Sequence, residues 1–75
     1  MTYPTRDPDF EALRLQMARV RNDRGWTFDK LEAESGVHRR TLIAMEHGTT
    51  NGRLDSWFRV AEAFGIPVSE FLSVL

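Results

Sequence analysis

The sequence predicts an all-α domain of five short helices. Apolar residues recur three or four positions apart, as in Leu13, Met17 and Val20, and this is the spacing of one helical face. Gly36 lies between two such stretches, and a glycine can adopt positive φ without a steric penalty from Cβ. The helices before and after Gly36 are therefore expected to be joined by a tight turn.

Length and composition limit the classes of protein that fit. The 75 residues permit one domain with a small core, near the size at which burial alone is only just sufficient for folding. The absence of cysteine excludes a disulfide framework and a thiolate metal site. No apolar run approaches the ~18 residues of a membrane span, and no basic-then-apolar signal opens the chain. We expect a soluble, cytoplasmic protein.

The first helix is predicted to follow a flexible tail at residues 1–6 and to open a single domain at 7–75. Asp7 is the expected N-cap, and Pro8 suits the first helical position because it lacks an N–H group. Gly25 is expected to end this helix in the left-handed conformation.

The second helix is predicted to run from Thr27, its N-cap, to Ser35, and the third over about 38–47. The buried side of this pair is predicted to carry Leu31, Val37, Leu42 and Met45. The outer side of the third helix is then formed by Arg39, Arg40, Ile43, Ala44 and His47.

The fourth and fifth helices follow a loop at 48–52 that is rich in turn-forming residues. Gly65 is expected to end helix 4, and Pro67 suits the first turn of helix 5. The apolar face of helix 4 is predicted to comprise Leu54, Trp57, Val60, Ala61 and Phe64.

The chain from about Leu13 to Leu72 resembles the Cro/C1-type (XRE) family of bacterial and phage repressors. The matching residues are Leu31, Gly36, Val37, Thr41, Leu42, Glu46, Gly48, Leu54, Ala61, Ala63, Gly65, Phe71 and Leu72. The resemblance implies a compact five-helix, lambda-repressor-like domain whose helices 2 and 3 form a helix-turn-helix. It also implies a regulator that binds a palindromic operator in double-stranded DNA as a homodimer. From the residues alone, the alternative is a small all-α domain in which Gly36 merely joins two helices.

The charge distribution is compatible with DNA binding. The net charge of −1 argues against binding through bulk positive charge. Residues 19–53, however, carry seven basic and five acidic side chains and are locally positive. A solvated surface is the other interpretation of this modest excess.

Helix 3 is the candidate reader of DNA sequence, because an α-helix fits the major groove. Arg39 and Arg40 lie in its first turn, and arginine can donate two hydrogen bonds to O6 and N7 of guanine. The resemblance implies base contacts at these positions and at Ala44, whereas the alternatives are phosphate contacts or solvated charge. Ile43 is expected to be exposed and to contact a thymine methyl group, or to be an isolated apolar surface residue. His38 is expected to open the helix near DNA.

The resemblance also implies phosphate contacts around helices 2 and 3. They would come from Thr27, His47, Thr50, Asn51 and Arg53. Backbone N–H groups at the start of helix 2 would attract an anion whatever the side chains are.

Two positions depart from the family pattern. Phe28 belongs to the DNA-facing set by resemblance, but a phenyl ring cannot replace the glutamine common there, so a packing role is expected. Glu32 replaces a small alanine, so its carboxylate must swing towards an arginine or the helix contact must loosen. The resemblance further implies a buried structural salt bridge between Arg21 and Glu46.

The sequence predicts no catalytic, metal-binding or cofactor-binding residues. His38 and His47 lack the H-E-x-x-H spacing, and no phosphate loop or nucleophile elbow is present. The residues at 36–39 and 46–48, with Asn51, look most like those of restriction-modification controllers. Chromosomal regulators share this pattern.

Helices 4 and 5 are predicted to provide the surface for a second chain. They carry many large apolar residues for so small a core, and the alternative is that nearly all of these are core. The residues assigned to this dimer interface are Trp57, Phe58, Phe71, Val74 and Leu75. The alternative function is a protein-interaction module that has kept the fold and lost specific DNA binding.

Overall fold

The computed structural model describes residues 7–75, and the predicted tail at 1–6 lies outside them. The all-helical prediction is confirmed, and the described residues contain no strand. The helices are α1 (Phe10–Asp23), α2 (Phe28–Ser35), α3 (Arg39–His47), α4 (Leu54–Phe64) and α5 (Val68–Phe71), and a 3₁₀ turn at Leu72–Val74 follows α5. None of these helices is long and apolar enough to cross a membrane.

The start of α1 differs from the sequence prediction. Asp9, not Asp7, is the N-cap, and its carboxylate accepts a hydrogen bond from the backbone N–H of Ala12 at 3.0 Å. The N–H of Asp9 also donates to the carbonyl of Leu75 at 3.3 Å. This contact with the far end of the chain favours Asp9 over Asp7, and the local sequence does not reveal it.

The boundaries of α2 and α3 follow the local sequence closely. Thr27 caps α2 by accepting a hydrogen bond from the N–H of Lys30 at 3.1 Å. Gly36 has φ +74°, and its N–H donates to the carbonyl of Glu32 at 2.8 Å. His38 is the N-cap of α3, one residue before the first helical position.

A single core joins the helices. Three aromatic pairs run through it, with ring centroids 5.5 Å apart for Trp26 and Phe64, 6.0 Å for Phe64 and Phe71, and 6.3 Å for Trp57 and Phe71. The buried apolar residues are Leu13, Met17, Leu31, Val37, Leu42, Met45, Trp57, Val60, Ala61, Phe64 and Phe71.

The core contradicts the assignment of two residues to the dimer interface. Trp57 and Phe71 are only 3% and 1% exposed, so neither side chain can face a second chain in this fold. Phe58 and Leu75 are exposed, and Val74 is half-buried.

Leu54 was predicted on the apolar face of helix 4, but it lies outside the core. It is 71% exposed, because it is the first residue of α4 and the buried face of that helix starts only with Trp57. With Phe58 one turn later, Leu54 gives α4 two exposed apolar side chains four residues apart.

Candidate nucleic-acid interface

The outer surface of α3 is held in place by the opposite side of the same helix. Leu42 and Met45 are fully buried, and they fix the rotation of the helix in the core. Arg39, Arg40 and His47 are consequently exposed. Ile43 was expected to be exposed, but it is half-buried like Ala44, because these two positions flank the buried face.

Two side chains cap the start of α3. Nδ1 of His38 accepts a hydrogen bond from the N–H of Arg40 at 3.1 Å. Oε2 of Glu32 accepts one from the N–H of Arg39 at 2.8 Å. Glu32 therefore swings out as expected, but towards the backbone of an arginine and not its guanidinium. The N–H groups at the start of a helix lack partners within the helix, so both contacts stabilise the end that carries the arginines.

The two arginines of this first turn have different surroundings. Arg39 Nε lies 3.1 Å from Oδ1 of Asp29, and the side chains are 55% and 78% exposed. Arg40 forms no ion pair with any of the residues described in the structure. Both guanidinium groups are open to solvent, but only that of Arg39 is held by a neighbour.

Arg21 connects α1, α3 and the segment before α2. Its Nε and Nη2 donate to the two carboxylate oxygens of Glu46 at 2.8 and 2.7 Å. Its Nη1 donates to the carbonyl of Trp26 at 2.9 Å. The side chains of Arg21 and Glu46 are only 14% and 8% exposed. The hydrogen bonding that Arg21 donates to Glu46 raises the pKa of Arg21 above its ordinary value, against the lowering effect of burial.

Phe28 packs on this ion pair. The guanidinium carbon of Arg21 lies 4.1 Å from the centre of the Phe28 ring, in the arrangement of a cation–π contact. Phe28 also packs against the core and is half-buried. The phenylalanine thus stabilises the start of α2 from within, in the packing role that the sequence predicted for it.

The loop after α3 is anchored by Trp57. Its indole Nε1 donates to the carbonyl of Asn51 at 2.8 Å. Thr50 Oγ1 accepts a hydrogen bond from the N–H of Gly52 at 3.2 Å. Arg53 Nε lies 3.3 Å from Oδ1 of Asp55, with the arginine 85% exposed. The predicted phosphate-binding side chains Thr50, Asn51 and Arg53 are thus exposed on a loop fixed by a core residue.

Sequence reasoning missed the contacts that Asp29, Glu32 and Trp57 make, although it predicted that Glu32 would swing towards an arginine. The signal for the first two is their spacing, since residues three apart lie on one helical face and this face lies against the start of α3. Trp57 gave no signal beyond its apolar character. Among residues 7–75, no group of three or more potential metal ligands comes together.

Comparison with known proteins identifies a protein family that the chain matches. A family model described as helix-turn-helix matches residues 17–71. No curated protein and no solved structure matches the chain. The match includes both helices that flank Gly36, the loop after α3, and α4.

Proposed function

The chain belongs to the Cro/C1-type (XRE) helix-turn-helix family of DNA-binding regulators, and we propose that it binds a palindromic operator as a homodimer and regulates transcription there. In this proposal α3 enters the major groove. Its first turn reads base edges, while the start of α2 and the loop after α3 bind phosphates.

The observation that carries the proposal is the first turn of α3. Arg39 and Arg40 are adjacent, exposed and attached to a helix end that is capped from both His38 and Glu32. A fixed helix end limits the positions that the arginines can reach, and base recognition requires such positioning. Each guanidinium can donate two hydrogen bonds to guanine. Ala44 and half-buried Ile43 lie further along the helix, where they suit contact with thymine methyl groups.

The dimer is part of the proposal because one recognition helix contacts few base pairs. A two-fold dimer places two such helices about 34 Å apart on half-sites one DNA turn apart. The proposed contact with a second chain is supported by apolar side chains that the core leaves accessible in the C-terminal part of the chain. They are exposed Phe58 and Leu75 and half-buried Val74. Leu54 joins them as an exposed apolar neighbour of Phe58 on α4.

The test is selection of bound duplexes from a randomised pool. We expect the wild-type chain to enrich a two-fold symmetric motif. Arg39→Ala and Arg40→Ala should each relax one base pair per half-site at a cost of about 1–3 kcal/mol. Arg19→Ala, which removes an exposed arginine from α1, is the matched control and should leave the motif intact. A wild-type chain that enriches no motif contradicts the proposal.

The second candidate is a protein-interaction module without specific DNA binding. The exposed Leu54 and Phe58 and the acidic side chains of α2 favour it. Salt dependence separates the two functions, since release of counterions makes DNA affinity fall steeply with the logarithm of salt concentration. A partner bound through apolar residues of α4 is expected to show a much weaker dependence on salt.

A further inference from the structure

Two acidic side chains of α2 hold the same residue of α3. Glu32 accepts a hydrogen bond from the backbone N–H of Arg39 at 2.8 Å. Asp29 lies three residues earlier, on the same face of α2, and its Oδ1 is 3.1 Å from Nε of Arg39. The backbone and the guanidinium of Arg39 are therefore both contacted from the neighbouring helix.

The atom that Asp29 contacts determines what Arg39 can still do. Arginine has five N–H donors in one rigid plane. The contact with Asp29 is at Nε, along the lateral edge of that plane. The terminal nitrogens Nη1 and Nη2 lie at its end, and neither donates a hydrogen bond to another residue within 7–75. Two parallel donors at this end match O6 and N7 of guanine in the major groove. Arg39 is thus already paired in the way that leaves its guanine-binding edge open.

Asp29 also disfavours the wrong contact. An arginine without a neighbour can turn to the phosphate backbone, and such a contact carries no sequence information. A carboxylate beside Nε keeps the side chain from turning away, and its negative charge repels phosphate. The expected result is higher discrimination between bases and lower affinity for DNA of arbitrary sequence.

From these contacts we infer that Asp29 is a positioning residue that sets the guanine specificity of Arg39. The inference rests on the proposed function. The pair is exposed in the free protein and contributes little to folding there. Its effect belongs to the DNA complex, where water is excluded and the same contact becomes stronger.

The chain provides a matched control at Asp55. Asp55 is the second residue of α4, as Asp29 is the second residue of α2. It contacts Nε of Arg53 at 3.3 Å through Oδ1, so the two pairs use the same atoms. Arg53 precedes α4 and does not lie on α3. Asp55→Ala therefore removes the same charge from an equivalent helix position without touching Arg39.

The experiment measures dissociation constants for the wild-type chain, Asp29→Ala, Asp55→Ala, Arg39→Ala and the double variant Asp29→Ala/Arg39→Ala. The probes are the selected operator, a series with each base pair changed singly, and a duplex of scrambled sequence. Asp29→Ala should bind the scrambled duplex more tightly. It should lose about 5-fold or more of its discrimination at the base pair that Arg39→Ala relaxes. Asp55→Ala should change affinity equally for all duplexes, and the double variant should discriminate no worse than Arg39→Ala.

Other outcomes overturn the inference. One is unchanged discrimination in Asp29→Ala; another is an equal loss at all base pairs, or the same loss in Asp55→Ala. If the wild-type chain selects an operator and these results appear, the proposed function stands and the role of Asp29 is rejected. If Arg39→Ala loses discrimination at no base pair of the selected operator, the role of Asp29 is likewise rejected. If the wild-type chain selects no operator, both proposals fail.

Discussion

The Arg21–Glu46 ion pair shows at the scale of single residues how this domain orients α3. It joins α1 to the buried side of α3, and the third donor of Arg21 holds the carbonyl of Trp26 just before α2. Because the pKa of Arg21 is raised, the contribution of its charge is complete below the ordinary arginine pKa and is lost only above it. Titration of Arg21 therefore does not alter stability around neutral pH.

We expect Glu46→Gln to lower the free energy of unfolding by about 3 kcal/mol, because it leaves the largely buried charge of Arg21 uncompensated. Urea denaturation measures this value. The control is Glu34→Gln, which breaks an exposed pair with Lys30 whose side chains are 43% and 50% exposed. An exposed pair of this kind contributes about 0.5 kcal/mol or less.

A double variant tests the cause of that loss. Arg21→Met with Glu46→Leu removes both charges and leaves apolar side chains in the same space, so it should recover most of the stability. A double variant as unstable as Glu46→Gln alone would contradict the explanation from an uncompensated charge.

Helix boundaries were predictable where a local contact sets them. Thr27 and Gly36 act within their own helix, so their residue types suffice to indicate a start and an end. The spacing of Asp29 and Glu32 indicates a shared face of α2, but the cap of α3 by Glu32 was not predictable, because it depends on how α2 packs beside α3. The choice of Asp9 over Asp7 likewise coincides with a contact to Leu75 at the opposite end of the chain.

Glu32→Ala restores the small residue common in the family pattern, yet we expect it to destabilise this chain. It removes the acceptor for the N–H of Arg39, and loss of a charge-assisted cap costs about 1–2 kcal/mol. Urea denaturation against His38→Asn is the comparison, since asparagine can keep the second cap. Equal stability of Glu32→Ala and the wild-type chain would show that the cap is replaced by water without loss.

The loop between α3 and α4 depends on Gly52. Its φ is +77°, and an added Cβ would lie 2.7 Å from Nε1 of Trp57, the atom that anchors Asn51. Gly52→Ala should cost about 3 kcal/mol, from backbone strain and overpacking together. Gly25→Ala is the control, because φ there is +67° with no atom within 4 Å of the new Cβ. It should cost only about 1 kcal/mol from backbone strain, and equal losses in thermal or urea unfolding would contradict the clash with Trp57.

At the scale of the whole molecule, the class of fold was predictable and the dimer surface only partly so. Helical periodicity shows that Trp57 and Phe71 are apolar, but it does not show which apolar residues a core of this size consumes. The structure places both of them inside the core and leaves Leu54 outside. Such a division depends on how five helices pack together, which no single segment encodes.

The proposed dimer predicts that the exposed side chain of Phe58 contributes strongly to self-association. Phe58→Glu should weaken self-association at least about 10-fold, as expected when an interface anchor is lost. Sedimentation equilibrium measures the change. Leu15→Glu is the control, since Leu15 is a 51% exposed leucine on α1 and should have no effect. If Phe58→Glu and Leu75→Glu both associate as strongly as the wild-type chain, the surface that carries Phe58 and Leu75 is not the dimer interface.

The most direct test of the DNA-reading claim is methylation protection of guanine N7 along the selected operator. This atom faces the major groove, where α3 is proposed to lie. We expect two symmetric groups of protected guanines one helical turn apart, with protection lost at the guanine read by Arg39 or Arg40 when that arginine is replaced by alanine. Saturated binding with every guanine N7 still reactive would contradict this claim, because α3 would then not occupy the major groove.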